Sequence, residues 1–167
     1  VRVVRNEENL GFVDACNQGA EIARGKYLLF LNNDTEVLPG WLRSLVETVE
    51  SDADIGAVGS MFLYPDGTIQ EAGGIVWKTG EAFHHGWGSS PEDRRFCFAR
   101  EVDYCSGASL LIRKELFDKL GGFDRRYSPA YYEDVDLCFG VRSLGSRVVY
   151  QPASRLILRD RKREPYG

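Results

Sequence analysis

The chain has 167 residues, of which 43% are hydrophobic, and a formal net charge of −4. This length and apolar content suffice for one domain with a sizeable core and exclude a disordered chain. The net charge gives no general attraction to nucleic acid or to an anionic membrane, and no apolar run approaches the 18 residues of a membrane span. The four cysteines lack C-x-x-C spacing, which argues against zinc and fits a reduced, cytoplasmic setting.

The first 35 residues predict a strand, a helix and a second strand. "VRVVRN" alternates and is β-branched, which predicts a strand over residues 1–4. "NEENLGFVDACNQGAEIARG" has apolar residues at three- and four-residue steps, typical of a helix with one buried face, and Gly25 is a suitable terminator. "KYLLFLNND" is an apolar run of strand length. The order predicts a βαβ unit with a parallel sheet.

The later elements predict a mixed sheet. "LPGWLRSLVETVES" predicts a helix, "IGAVGSMFLY" a strand and "PDGT" a turn, while residues 73–100 are Gly-rich without periodicity and predict a functional or mobile loop. Then follow strand-like "VDYCSGASLLIR", helical "KELFDKLGGF" and "EDVDLCFGVRSLG", and the strands "RVVYQP" and "SRLIL". The fold class is α/β, with a mixed, mostly parallel sheet flanked by helices. Ligands of such sheets bind beyond the carboxyl ends of the strands, here at Asn32, Asn33 and Asp34.

Asp34 follows the apolar strand in "FLNNDTEV". A carboxylate there can hold Mg²⁺ or Mn²⁺, which take one or two protein carboxylates and complete their shell with phosphate oxygens and water. An Asp at this position also commonly starts a turn or caps the next helix. The stretch alone leaves both interpretations open.

Three acids, Glu133, Asp134 and Asp136, crowd the start of a predicted helix behind two tyrosines. Acids at a helix start are favoured by the helix dipole, which explains one of them without any chemistry. Three are more than a cap needs, and a carboxylate near others has a raised pKa, which suits a general base. A metal site and a separate base together suggest transfer of a group from a phosphate-linked donor to a hydroxyl.

These stretches resemble the family 2 inverting glycosyltransferases, which have the GT-A nucleotide-sugar fold. "NLGFVDACNQGAEIARGKYLLFLNNDTEVLPGWL" is similar to the segment that leads to the family's metal-binding DxD motif. "YCSGASLLIRKELFDKLGGFD" resembles its acceptor-side segment, "YYEDVDLCFGVRSLG" its catalytic ED helix and "RVVYQP" the strand after it. "DG…QEAGG" is similar to members that build bacterial surface polysaccharides, including rhamnosyltransferase-like ones.

The resemblance implies roles for individual residues. Asp34 would bind the metal and the donor diphosphate, and Asn32 stands where the motif has its first acid. Asp134 would be the base, and Glu133 would orient the acceptor or support the base. The remaining expected contacts are donor-binding Asn9, Gly11 and Asn33, and acceptor-binding Ser106, Gly107, Ala108, Trp77 and Trp87.

The resemblance also implies a partial domain that lacks the first strands of the family, so we expect this fragment alone to be inactive and prone to self-association. Residues 1–64 would form the nucleotide-sugar and metal half, residues 65–160 the acceptor and catalytic half, and residues 161–167 a basic tail. Two departures from the family pattern are Leu158, where many members have a metal-binding His, and Gly140, where a basic residue is common.

The expected function is therefore transfer of a sugar from a nucleoside diphosphate to a glycan or lipid-linked hydroxyl acceptor in cell-surface polysaccharide synthesis. The expected location is cytoplasmic, or peripheral at the inner face of the membrane. The alternatives are a non-catalytic sugar-nucleotide or glycan-binding member, favoured by Asn32, and a sugar-phosphate nucleotidyltransferase. His84 and His85 are interpreted either as an exposed loop pair or as part of an acceptor loop with Trp77 and Trp87. The basic tail is either a solvated end or a contact for phosphate or a membrane surface.

Overall fold

The computed structural model describes residues 2–159, and the basic tail lies outside them. The described residues form one mixed sheet, a small separate hairpin and four α-helices. The helices are α1 Gly11–Ile22, α2 Trp41–Ser51, α3 Lys114–Leu120 and α4 Glu133–Ser143. The strands are β1 Tyr27–Leu31, β2 Thr35–Val37, β3 Ile55–Leu63, β4 Ile69–Glu71, β5 Gly74–Val76, β6 Ala82–His84, β7 Arg100–Glu101, β8 Ser109–Arg113 and β9 Arg147–Leu158.

The central sheet has the strand order β1-β8-β3-β9-β2. β3 and β9 are parallel, and β8 pairs antiparallel with both β1 and β3. The strands β1, β3 and β9 therefore run in one direction, but β8 lies between two of them in the opposite direction. The fold class is confirmed as α/β with a mixed sheet, although neighbouring strands are antiparallel more often than the sequence predicts.

Alternating side chains of the sheet form a core on each face, as expected of a sheet covered on both sides. Leu110 and Ile112 of β8 pack with residues of α1, α3 and α4, such as Val13, Phe117 and Val141. Leu111 of β8 and Val58 of β3 pack on the other face with residues of α2: Trp41, Leu45 and Val49. All nine residues of β3 are buried.

The predicted strand over residues 1–4 is wrong for the residues that the structure describes. Residues 2–10 lie outside helices and strands, and Val3 is 73% exposed. An alternating sequence becomes a strand only where a partner strand accepts its hydrogen bonds, and no described strand pairs with this segment. The crossover unit of the fold is therefore β1, α2 and β3 rather than a unit that begins at residue 1.

Three further boundaries differ from the predictions. α1 ends at Ile22 with extended Ala23 as its C-cap, before Gly25. "RVVYQP" and "SRLIL" form the single strand β9, which pairs in part with β3 on one side and β2 on the other. The irregular stretch of residues 73–100 contains the β5–β6 hairpin and the start of β7. Within the described residues, no helix is long and apolar enough to cross a membrane.

Candidate functional site

The end of β1 is fixed against the loop that precedes β8. The Asn32 N–H donates to the Ala108 carbonyl at 3.0 Å, and the Thr35 hydroxyl donates to the Asn32 carbonyl at 2.6 Å. The Asp34 carbonyl accepts from the Arg159 N–H at 3.0 Å, while the Asp34 residue itself is exposed. The backbone that carries Asn32, Asn33 and Asp34 is thus held at both ends, with Asp34 open to solvent.

The start of α4 meets the same loop from the other side. Residues 106–108 form a turn, here named the SGA turn, and the Gly107 N–H donates to Asp134 Oδ2 at 3.0 Å. Asp134 Oδ1 accepts from the Val135 N–H at 2.8 Å. A Cβ at position 107 would lie 3.0 Å from the Phe12 ring and 3.6 Å from Asp134 Cβ, which explains the glycine. The SGA turn therefore links the end of β1 to the predicted base.

The protein environment of Asp134 favours the protonated, neutral form of its carboxyl group. Burial raises the pKa of the Asp134 carboxyl above its ordinary value, and the charge of Glu71 raises it further, against the lowering effect of the hydrogen bonds from Gly107 and Val135. A carboxylate with a raised pKa is a stronger base than a free aspartate. The position and the electrostatics of Asp134 both suit proton abstraction.

Glu133 points into the protein. It is 6% exposed, and its Oε2 has no hydrogen-bond partner among the described residues. Burial raises the pKa of the Glu133 carboxyl, and the charge of Asp134 adds to this effect. Of the two predicted roles, support of the base fits this buried position better than contact with an acceptor.

The start of α1 contacts the segment that precedes α4. The Asn9 side chain accepts from the Gly11 N–H at 2.9 Å, and the Phe12 N–H donates to the Pro129 carbonyl at 3.3 Å. Gly11 has a positive φ of 75°, and a Cβ there would lie 3.3 Å from Pro129 Cβ. Asn9 and Gly11 therefore lie on the side of the site where α1 and α4 begin.

The two predicted acceptor tryptophans have separate partners. Trp77 is 59% exposed and packs edge-to-face on Phe83 in the β5–β6 hairpin, with ring centroids 6.3 Å apart. This hairpin meets α4 where the Ala82 N–H donates to the Tyr132 hydroxyl at 3.4 Å. The Trp87 indole instead donates to the Tyr64 hydroxyl at 2.8 Å, beside the turn that follows β3. The contacts thus connect the hairpin of Trp77 to α4, whereas Trp87 belongs to another loop.

His84 and His85 do not form the exposed pair that one interpretation describes. His84 Nδ1 lies 2.7 Å from Glu71 Oε2. His85 Nδ1 lies 2.6 Å from Arg100 Nη2, and its ring packs on Phe96 with centroids 5.1 Å apart. Burial and the positive charge of Arg100 lower the pKa of His85. His85 is thus a packed structural side chain, and His84 is attached to a buried acid.

Glu71 has no predicted role in the sequence, although it lies in the "QEAGG" stretch. It is 3% exposed on β4, and its Oε1 accepts from the Ser106 N–H of the SGA turn at 3.2 Å. The sequence feature that could have indicated Glu71 is its position as an acid between Ile69 and Ala72, in a short segment that precedes two glycines. A buried carboxylate requires partners, and these became visible only in three dimensions.

The donor atoms around Asp34 fit a hard divalent cation only in combination with a bound phosphate. Among residues 2–159 no group of three or more His, Cys, Asp and Glu side chains is arranged to hold a metal ion. Asp34 offers one exposed carboxylate, with amide oxygens on the adjacent Asn32 and Asn33. Mg²⁺ and Mn²⁺ accept such a set when phosphate oxygens and water complete the shell.

Comparison with known proteins agrees with this architecture. A solved structure of GalNAc-T7 with UDP, GalNAc and Mn²⁺ superimposes with a TM-score of 0.75 at 20% identity, covering 94% of this chain and 31% of that one. The likeness at this identity shows the fold, which is GT-A.

Two curated relatives are similar in sequence. The O-antigen biosynthesis protein RfbC of Myxococcus xanthus is 40% identical over 84% of this chain and 11% of its own length. The N-acetylglucosaminyl-diphospho-decaprenol L-rhamnosyltransferase of Mycobacterium tuberculosis H37Rv is 27% identical over 94% of this chain and 58% of its own length. The chain thus spans less than two thirds of the length of either relative.

The family model described as glycosyl transferase family 2 matches residues 1–121, which include the end of β1 and the SGA turn. The match covers well over half of the 167 residues. The chain therefore belongs to glycosyl transferase family 2.

Proposed function

We propose that the protein transfers a sugar from a nucleoside diphosphate to a hydroxyl acceptor, with inversion at the anomeric carbon. The single observation that carries this proposal is the placement of Asp134. Its carboxylate is held at 3.0 Å by Gly107 in the SGA turn, and that turn bonds directly to the end of β1, where the donor is expected. A base and a donor site that contact the same turn satisfy the proximity that a direct displacement requires.

In this mechanism Asp134 accepts the proton of the acceptor hydroxyl while the hydroxyl oxygen attacks the anomeric carbon. The bond from that carbon to the diphosphate oxygen breaks, and its electron pair leaves with the nucleoside diphosphate. The proton ends on Asp134. One displacement with attack opposite to the leaving group inverts the anomeric configuration.

Asp34 would hold the Mg²⁺ or Mn²⁺, with help from Asn32 and Asn33, and a bound metal would neutralise the charge of the departing diphosphate. Asn9 and Gly11, at the start of α1, would contact the donor as well. The exposed position of Asp34 supports this role, since the metal must be reached by a phosphate from solvent. Mn²⁺ is present in the solved GalNAc-T7 structure, which has the same fold.

The acceptor would lie on the side of the β5–β6 hairpin. Ser106, Gly107 and Ala108 would line its pocket, and the exposed Trp77 offers an apolar ring face for a sugar. The names of the two relatives support a glycan or lipid-linked acceptor in surface polysaccharide synthesis. We further propose a cytoplasmic or membrane-peripheral location, where nucleotide sugars would be the donors.

A second candidate is a non-catalytic protein that binds a sugar nucleotide or a glycan. One observation favours it: the residue at the end of β1 is the amide Asn32, which brings no charge to a metal site. The raised pKa of Asp134 and its contact with the SGA turn favour catalysis, because binding alone gives no reason for a half-buried, proton-accepting carboxylate at this position.

The two candidates separate in one assay. The full-length protein is incubated with UDP-, GDP- and dTDP-linked sugars and Mn²⁺, with and without a synthetic N-acetylglucosaminyl-diphosphoprenol, and nucleoside diphosphate release is followed. Transfer predicts acceptor-dependent release that a chelator stops, and a product whose anomeric proton shows inversion by NMR. Binding of a nucleotide sugar without release would support the non-catalytic candidate.

A further inference from the structure

Two carboxylates are held side by side on consecutive N–H groups of the SGA turn. The Ser106 N–H donates to Glu71 Oε1 at 3.2 Å, and the Gly107 N–H donates to Asp134 Oδ2 at 3.0 Å. The proposed mechanism uses Asp134 but gives Glu71 no task. Because like charges repel, a buried acid next to the base is costly unless a partner compensates its charge.

Glu71 has such a partner in His84. Its second oxygen, Oε2, lies 2.7 Å from His84 Nδ1. The Glu71 side chain is 4% exposed and the His84 side chain is 48% exposed, so the pair connects the buried carboxylate to the protein surface. His84 belongs to the β5–β6 hairpin, so the pair links that hairpin to the SGA turn, in addition to the hydrogen bond from Ala82 to Tyr132 at the start of α4.

We infer that Glu71 and His84 are positioning residues of the site: Glu71 fixes the SGA turn and places a negative charge beside Asp134, and a protonated His84 offsets that charge. The inference rests on the proposed function of Asp134 as the base. It gives the β5–β6 hairpin a means to change the strength of the base, because a displacement of His84 leaves the charge of Glu71 uncompensated.

The sign of each effect follows from the charges around Asp134. Glu71 raises the pKa of Asp134, since its negative charge disfavours a second carboxylate. At acidic pH a histidine is protonated, and its positive charge acts in the opposite direction. The other titratable groups that interact with Asp134 are Tyr104, Cys105, Glu133 and Cys138, and burial raises the pKa of each of them. Raised pKa values keep Tyr104, Cys105 and Cys138 uncharged in the acidic range, and Glu133 is present in the wild type and in both variants of the pair.

The Gly107 amide reports the protonation of Asp134 directly, because it donates to that carboxylate. In the full-length protein labelled with ¹⁵N-glycine, the Gly107 signal should titrate with Asp134, and Asp134→Asn should abolish that titration. Glu71→Gln keeps the shape and removes the charge, so the midpoint should fall by about one pH unit. His84→Gln removes the offsetting charge, so the midpoint should rise. The inference is overturned if both midpoints stay at the wild-type value or move in the same direction.

Kinetics of the proposed reaction give a second readout. Below the pKa of its base a general-base reaction slows, so the acid limb of kcat/KM for nucleoside diphosphate release should shift as the NMR midpoints do. Glu71→Asp restores the charge and should return the limb toward wild type, whereas a purely structural role predicts lower kcat with an unmoved limb. His84 is half-exposed, so its variant tests the inference even where Glu71→Gln fails to fold. If Asp134→Asn leaves nucleoside diphosphate release unchanged while the NMR midpoints shift as expected, the proposed function is wrong and the charge coupling is correct. If Asp134→Asn abolishes release while the midpoints do not shift, the charge coupling alone is wrong.

Discussion

Glu133→Gln should make the protein more stable at neutral pH and less active. The Glu133 side chain is buried, and its Oε2 has no hydrogen-bond partner among the described residues. A buried polar atom without a partner costs about 1–3 kcal/mol, and more when the group is charged. Replacing the carboxylate by a neutral amide of the same shape should recover about 1 kcal/mol of this cost. For a domain of this size that corresponds to a rise in Tm of roughly 2–4 °C.

The effect should depend on pH in a defined direction. The pKa of Glu133 is raised in the folded state above its ordinary value of 4.5, so the folded protein is favoured by protonation. That stability is fully present below the ordinary pKa and is lost as the pH rises through the folded value. The gain in Tm from Glu133→Gln should therefore be clear at about pH 7 and nearly absent at about pH 4.

The assay is thermal unfolding of wild type and variant at both pH values. Glu115→Gln is a matched control, because Glu115 lies in the first turn of α3 as Glu133 does in α4, but is exposed. The control should lose a few tenths of a kcal/mol through the helix dipole. A Tm of Glu133→Gln that falls equally at both pH values would refute the interpretation of Glu133 as an uncompensated buried acid.

Three further predictions concern the fold and the two substrate sides. Gly74→Ala should destabilise the protein by about 1–3 kcal/mol in denaturant unfolding, because a Cβ there would overlap the buried Tyr104 ring. The control Gly19→Ala, in an open position of α1, should stabilise the protein by about 0.5–1 kcal/mol. Equal effects of the two substitutions would contradict the packing at β5. Asp34→Ala should abolish the Mn²⁺-dependent part of the affinity for nucleoside diphosphate, measured by calorimetry. The control Glu36→Ala, which loses an exposed ion pair with Arg159, should retain it. An unchanged metal dependence in the Asp34 variant would show that Asp34 is not a metal ligand. Trp77→Ala should raise the acceptor KM several-fold, which corresponds to a loss of binding free energy on the order of 1 kcal/mol. The increase should be larger than for Trp87→Ala, because the contacts of Trp77 lie on the hairpin next to α4. A larger increase for Trp87→Ala would place the acceptor near Tyr64 instead.

Local patterns in the sequence predicted most elements of the fold. The apolar runs of β1 and β3 correctly indicate strands, and the patterns in α1, α2 and α4 correctly indicate helices. The run of β1 is also typical of a central strand covered on both faces, and that prediction is wrong, because β1 lies at the edge of the sheet with alternating burial. The order of the strands was not predictable, because β8 pairs between β1 and β3 although it comes much later in the chain. Residues 1–4 show the same limit, since β-branched alternation indicates a capacity to pair and contains no information on whether a partner exists.

The candidate residues of the site were predictable from local sequence patterns, but their three-dimensional contacts were not. The crowded acids at the start of α4 indicate a base, and the position of Asp34 after an apolar strand indicates a ligand site, both of which remain predictions for mutagenesis. Glu71 was missed because its environment is made by Ser106 and His84, which come from other elements. The different orientations of Glu133 and Asp134 also arise only from the packing of α4 against the SGA turn.

The central claim is that Asp134 removes the proton of the acceptor, and a comparison of Asp134→Asn with Asp136→Asn in the full-length protein tests it most directly. Both residues lie in the first turn of α4, but Asp136 accepts from the Tyr127 hydroxyl at 3.3 Å, away from the SGA turn. General-base catalysis contributes about 10²–10⁴-fold, so transfer by Asp134→Asn should fall by that factor while its affinity for the nucleotide donor stays near wild type. Asp136→Asn should retain most of the transfer rate. Near-wild-type turnover of Asp134→Asn, or an equal loss in both variants, would contradict the assignment of the base.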